Sequence, residues 1–229
     1  MSTEDTYDPV AVREALSRRF RTVSRPLRVA ERDVVLLSPA NADDLISEDD
    51  YVMDERLPYW ADLWPSAQIL SSEVAIMRLA GLRVLELGCG LGVVALAAAM
   101  AGADVTATDY YDDALLFAKL NVAEATGRSI ATRMVDWTTM PSDLGKFDVV
   151  LASDVLYEHR YAAMVADAIA RTLVRGGEAI VADPGRIALD EFLEECSDRG
   201  IASEGDPRAY VDGEIKQTIT LWRLHWKAE

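Results

Sequence analysis

Apolar positions along the chain follow two periods, and the places where one gives way to the other set out an order of helices and strands. Val12, Ala15, Leu16 and Phe20 repeat at helical spacing behind Asp8-Pro9, a capping aspartate with proline at the first helical position. Leu27 to Val29 and Val34 to Leu37 read as a strand pair turning through Glu31, Arg32 and Asp33, and Asn41 to Asp54 as an acidic loop. Pro65 and Ser66 open a helix with Ala67, Leu70, Val74 and Met77 on one face, closed by Gly81. Arg83 to Leu87 is a short buried strand and Val93 to Met100 an alanine-rich helix; Asp104 to Thr108 is the next strand. Asp112 caps a helix carrying Leu115, Ala118, Val122 and Ala125, which Gly127 ends. A third strand covers Ala131 to Val135, and a fourth, Phe147 to Asp154, is apolar enough to be buried on both faces. Val165, Ala168, Ile169 and Leu173 mark a helix ending at Gly176-Gly177, before a fifth strand from Glu178 to Asp183. Leu189, Phe192, Leu193 and Cys196 repeat as a further helix, with Cys196 as core packing. The tail reads as a hairpin connected by Asp206 to Gly213, with Ile215 to Trp226 as the last strand and His225 near its end. Strands alternating with helices predict a Rossmann-like α/β fold with a mainly parallel sheet and helices on both faces.

The chemistry concentrates where the first of these buried strands turns into a helix. Gly88, Gly90 and Gly92 lack a Cβ, so a ligand can approach the main chain there. Asp109 follows about 20 residues on, at the end of the next strand, where a carboxylate can hold both hydroxyls of a ribose. An adenosine-containing cofactor follows, of which two classes fit: dinucleotides, whose pyrophosphate needs the helix N-terminus, and S-adenosylmethionine, a sulfonium beside an ammonium. Glu86, two residues before the first glycine, favours the cationic ligand. Tyr59, Trp60 and Trp64 cluster before a helix N-terminus, either as a hydrophobic staple or as a wall against the cofactor's methionine end. Asp136-Trp137 sits where a carboxylate can take an adenine amino group and an indole can cover the base, or else is a loop-start aspartate beside a core tryptophan. Asp154 and Tyr157 emerge beyond the fourth strand, at the edge where open parallel sheets bind ligands.

With those motifs in place, the combination YWADLWPSAQIL, LELGCGLG, Asp136-Trp137 and ASDVLYE resembles the class I, seven-strand protein-lysine methyltransferases that carry a D/E-x-x-Y/F motif. ADPGR, Ala182 to Arg186, and PYWADLWP are most similar to the branch that methylates the electron-transfer flavoprotein β subunit. The resemblance covers roughly Leu57 to Arg186. It departs after Trp64, where Pro65-Ser66 stands in place of small glycines. It implies S-adenosyl-L-methionine as cofactor, held by Trp64, Glu86, Gly88, Gly90, Asp109, Tyr110, Asp136, Trp137 and Ser153, with Asp154 and Tyr157 as catalytic residues at the acceptor channel. It implies strand order 3-2-1-4-5-7-6 with an antiparallel last strand. Residues 1–56 are then an N-terminal helix and strand-pair extension, and residues 57–229 the methyltransferase domain.

Charge narrows the partners. The chain carries 39 acidic and 23 basic residues, a formal charge of −16, so a nucleic-acid backbone or an anionic membrane is repelled; the acidic surface either serves solubility alone or also attracts a basic, lysine-bearing substrate. The basic cluster Arg18 to Arg28, broken at Pro26, reads as a solvated helix end. The N-terminus has no apolar core of a signal peptide, and Val93 to Ala101 is too short to span a bilayer. Cys89 and Cys196 have no metal or disulfide spacing, so a cytoplasmic protein without a metal is expected. His159 and Glu158 lie near enough to Tyr157 in sequence to suggest acid/base work, though a histidine at a helix start is more simply a surface residue. The leading expectation is methyl transfer to a protein lysine, the electron-transfer flavoprotein β subunit being one partner. A small-molecule N- or O-methyltransferase keeps the same fold and is favoured if the N-terminal residues close over the site. A non-catalytic cofactor-binding module would bind without turnover, and a nicotinamide dehydrogenase conflicts with Glu86.

Overall fold

The computed structural model describes residues 7–41, 45 and 58–228. The acidic stretch between Asn41 and Asp54 lies almost wholly outside these residues, as does the expected boundary at 56/57. Asp8 caps the first helix, α1 (Pro9–Arg19), accepting from the backbone N–H groups of Val10 and Ala11. An antiparallel pair follows, β1 (Thr22–Val29) and β2 (Arg32–Pro39). A single 3-10 turn, Tyr59–Ala61, leads to α2 (Pro65–Val74). Alternation then takes over: β3 (Arg83–Leu87), α3 (Val93–Met100), β4 (Asp104–Asp109), α4 (Asp112–Thr126), β5 (Ala131–Met134), β6 (Phe147–Ser153), α5 (Tyr161–Thr172), β7 (Leu173–Asp183) and α6 (Leu189–Asp198). The chain closes with the hairpin β8 (Ile201–Asp212) and β9 (Ile215–Trp226).

Seven strands form one sheet in the order β5-β4-β3-β6-β7-β9-β8. Counted from β3, that is the expected 3-2-1-4-5-7-6, parallel except for β9, which is antiparallel to both neighbours. Successive residues of its central strands serve opposite faces. Val149 and Leu151 join the apolar cluster that holds α2 and α3, whereas Val150 and Ala152 join the one that holds α5 and α6. The N-terminal hairpin shares the first of these clusters through Val29, Val34 and Leu36, so it is packed onto the α/β body. Leu16 and Leu37 meet Leu91, Phe117 and Leu120 in a third, smaller cluster.

Several boundaries differ from those read in the sequence. Pro26 lies within β1 and breaks nothing, because a two-stranded ribbon has free edges that tolerate a missing N–H. Asp112 is the first residue of α4, not its cap; Tyr111 occupies the N-cap with no side-chain bond. β7 begins at Leu173, and its pairing with β6 shifts register between Phe147 and Val149. Gly176-Gly177 therefore sits inside an irregular strand and does not end a helix. The tail hairpin turns at Gly213-Glu214, and Asp206 to Asp212, expected as its connection, continue β8.

Candidate active site

The parallel strands end at one side of the sheet, and the connections reverse direction between β3 and β6, where α/β sheets hold ligands. A cavity of about 460 Å³ lies there. Its wall includes the glycine turn. Gly90 is left-handed, at φ +49°; a Cβ there would come 3.0 Å from the Trp60 carbonyl oxygen. The Gly90 N–H donates to Asp109 Oδ2 at 2.9 Å. At Gly88 a Cβ would lie 3.1 Å from Val155 and 3.5 Å from the Trp137 ring, filling the space beside the indole.

Every binding or catalytic residue expected from the sequence lines this cavity except Glu86. Glu86 is 1% exposed beneath the turn; the Ala95 N–H donates to its carboxyl, and Oε2 has no partner among the described residues. Burial, joined by the neighbouring Asp109 charge, pushes Glu86 up to about 8. Asp109 receives the Tyr111 N–H on its other oxygen at 3.1 Å. Burial also raises Asp109, against the pull of the backbone N–H groups of Gly90, Tyr111 and Tyr110. Tyr110 itself lines the cavity and is 42% exposed.

On the other flank, Asp136 Oδ1 accepts from the Thr138 N–H and hydroxyl at 2.8 and 2.7 Å, capping the 3-10 turn Trp137–Thr139. It is a loop-start aspartate that also forms part of the cavity wall. Trp137 packs edge-on against Tyr161, ring centroids 5.6 Å apart. The aromatic cluster before α2 divides its roles. Trp60 turns toward the core and Phe117, 5.7 Å away, whereas Trp64 donates its Nε1 to the Tyr59 carbonyl at 2.8 Å and meets that ring edge-on.

Ser153 ends β6, and Asp154 follows in the left-handed region at φ +59°, which aspartate and asparagine tolerate better than other side chains with a Cβ. Its carboxylate accepts from Ser66 Oγ at 2.8 Å and from Arg186 Nε at 2.6 Å. Tyr157 packs against Tyr59 at 5.5 Å and Tyr161 at 4.9 Å. Burial, with the Tyr161 hydrogen bond next, raises its hydroxyl well above the ordinary value, so it stays a phenol at neutral pH and can only donate or wall the channel. His159 pairs with Glu191 at 2.8 Å and is no part of the lining, whereas Glu158 lines the cavity and pairs with Arg160 at 2.8 Å. Cys196 is fully buried in the core, and His225 pairs with Glu178 at 3.4 Å. Ser66 and Arg186 lay inside the motifs without being singled out; the signal for Arg186 is its place three residues past β7's end, at the same side of the sheet as Asp154.

S-adenosylmethionine fits this donor set. It carries no phosphate, and the two buried acids at the glycine turn, one with an orphaned oxygen, offer nothing to a pyrophosphate; the glycine positions leave room that a Cβ would close.

The family model described as lysine methyltransferase matches residues 60–195. The electron transfer flavoprotein beta subunit lysine methyltransferase of Danio rerio is 31% identical over 185 residues, covering 75% of this chain and 68% of the relative. Protein N-lysine methyltransferase METTL21A of Danio rerio is 37% identical over 159 residues, 63% of this chain and 70% of that protein. Against further relatives the chain spans less, 41% and 53% of their lengths. In fold, it is similar to magnesium protoporphyrin IX methyltransferase from Synechocystis PCC 6803 with bound S-adenosylmethionine: TM-score 0.59, 22% identity, 81% of this chain and 98% of that one.

Proposed function

The chain belongs to the lysine methyltransferase family and uses S-adenosylmethionine, and on that premise we propose that it methylates the side-chain amine of a lysine presented by a protein, received at Asp154 and walled by Tyr157. S-adenosylmethionine supplies a methyl group on a sulfonium that leaves as a neutral thioether. What the protein must do is align a neutral amine with that methyl and exclude competing water. A lysine ammonium, of reference pKa about 10.4, arrives charged. Asp154 attracts and orients it but also stabilises the charged form, so the proton passes to water before alignment. Trp64, Gly88, Gly90, Asp109, Tyr110, Asp136, Trp137 and Ser153, which line the cavity, would hold the cofactor, and Glu86 lies beneath the glycine turn without lining the cavity.

The observation that carries this reading is a buried carboxylate, Asp154, in the wall of the cavity, beside a cluster of tyrosines that can flank an alkyl-ammonium. None of residues 7–41 lines the cavity, which supports access for a protein side chain over the closed site that a small metabolite needs. As acceptor we propose the electron-transfer flavoprotein β subunit, on the zebrafish relative's name and the ADPGR and PYWADLWP stretches. Two buried free thiols suit a reducing compartment, and we place the protein in the cytoplasm. The test is radiolabelled methyl transfer into size-fractionated extract and into purified flavoprotein β subunit. Methyl-lysine in a discrete protein band supports the reading. Label confined to small molecules overturns the protein acceptor, and label in other bands with none in the β subunit overturns that partner alone.

A further inference from the structure

Both oxygens of Asp154 already have donors, and the two donors are unlike. Ser66 is fully buried at the start of α2, a short side chain on a rigid element, and holds Oδ2 at 2.8 Å. Arg186 holds Oδ1 at 2.6 Å through Nε alone, from the loop that follows β7. Its side chain is 34% exposed, lines the cavity, and makes no other hydrogen bond among the described residues. The guanidinium lies over the Trp64 ring at 5.3 Å. The root of this arm is fixed, because Asp183 Oδ1 accepts the N–H groups of Gly185 and Arg186, both at 2.7 Å. A rooted arm with a half-exposed head, stacked on an aromatic face, has somewhere to stay when its ion pair opens.

We propose that Arg186 is an internal stand-in for the acceptor: its guanidinium occupies Oδ1 of Asp154 in the free enzyme, and the incoming lysine ammonium takes that oxygen from it while Ser66 keeps Oδ2. This rests on the reading of Asp154 as the ammonium's receptor. A buried carboxylate without a counter-ion is costly, so the pair supplies Asp154 with a counter-ion while the channel is empty. The same pair sets specificity. An acceptor that displaces Arg186 must bring a positive charge of its own; a neutral hydroxyl or amide would leave Asp154 uncompensated.

The test is calorimetric titration of n-butylammonium, a mimic of the lysine side chain, into protein saturated with S-adenosylhomocysteine. Arg186→Met keeps an unbranched arm over Trp64 and removes the competing charge; it binds the probe about tenfold tighter than wild type. Arg186→Lys restores a cation and stays within about twofold of wild type. Unchanged affinity for S-adenosylhomocysteine confirms that each variant is folded. Binding to Arg186→Met that is no tighter than wild type, undetectable binding included, overturns the stand-in role. Asp154→Asn separates this from the underlying reading. If it leaves probe binding intact, Asp154 is not the receptor and both fail; if it removes binding while Arg186→Met fails to tighten it, only the stand-in role falls.

Discussion

Asn121 donates its side-chain amide to the Leu91 carbonyl at 2.9 Å, and so ties the middle of α4 to the glycine turn. The same side chain donates to the Leu37 carbonyl at 3.0 Å and accepts the Leu37 N–H at 2.7 Å. One fully buried amide thus joins the N-terminal hairpin, a helix and the cofactor turn. Asn121→Leu leaves three buried backbone groups without partners and lowers unfolding free energy by about 3 kcal/mol. Urea denaturation measures it. S-adenosylmethionine affinity falls in the same variant, because Leu91 lies in the turn.

The elevated Glu86 predicts an unusual pH dependence of stability. In the unfolded chain this carboxyl ionises near its ordinary 4.5; in the fold it keeps its proton up to about 8. Between those values the native state binds the extra proton, so Glu86 costs progressively more stability as pH rises from about 4.5 to about 8, and a constant amount above. Glu86→Gln therefore raises the melting temperature of the cofactor-free protein at pH 8 to 9, by on the order of a few kcal/mol in free energy. The gain disappears near pH 4.5. A gain independent of pH would mean that the glutamate is ionised in the fold.

Asp154→Asn isolates charge from shape. Asparagine accepts the left-handed backbone at φ +59°, whereas alanine there adds strain of about 1 kcal/mol or more. Methyl transfer falls roughly 10²-fold or further in the asparagine variant, with S-adenosylmethionine affinity within a factor of about two. Equal losses in both would put Asp154 in contact with the cofactor.

Gly90→Ala tests the closeness of the turn. The new methyl meets the Trp60 carbonyl at 3.0 Å on a backbone at φ +49°, a strain of about 1–3 kcal/mol. Cofactor affinity measured by calorimetry drops tenfold or more, while Gly127→Ala, whose Cβ meets nothing within 4 Å, affects stability alone.

How much of this was legible in the chain depended on whether the determinant was local. The glycine turn, Asp109 and the strand-end residues Ser153 and Asp154 follow from short runs whose period and spacing are readable, and they meet in one cavity because parallel strands end on one side. Proline and glycine misled where tertiary position outweighs local preference. Pro207, with Gly205 and Asp206 before it, reads as turn, yet it lies in β8, an edge strand on which a missing N–H goes unnoticed. Gly177 reads as a helix end, yet a Cβ there would meet the Asp148 carbonyl oxygen at 2.7 Å, a close strand approach that no local pattern signals. The Ser66–Asp154–Arg186 arrangement joins residues far apart in sequence, so only the fold reveals it. Glu86 was legible as an acid by the turn, but not as one hidden behind it.

Pro207 has a consequence for how these molecules behave in a crowd. A twelve-residue border strand such as β8 would otherwise present an unbroken row of backbone donors and acceptors on which a neighbouring chain could extend the ladder. The opposite border, β5, has only four residues. With one border interrupted by an imino acid and the other only four residues long, the seven-stranded sheet offers neighbours no long unbroken border along which to stack.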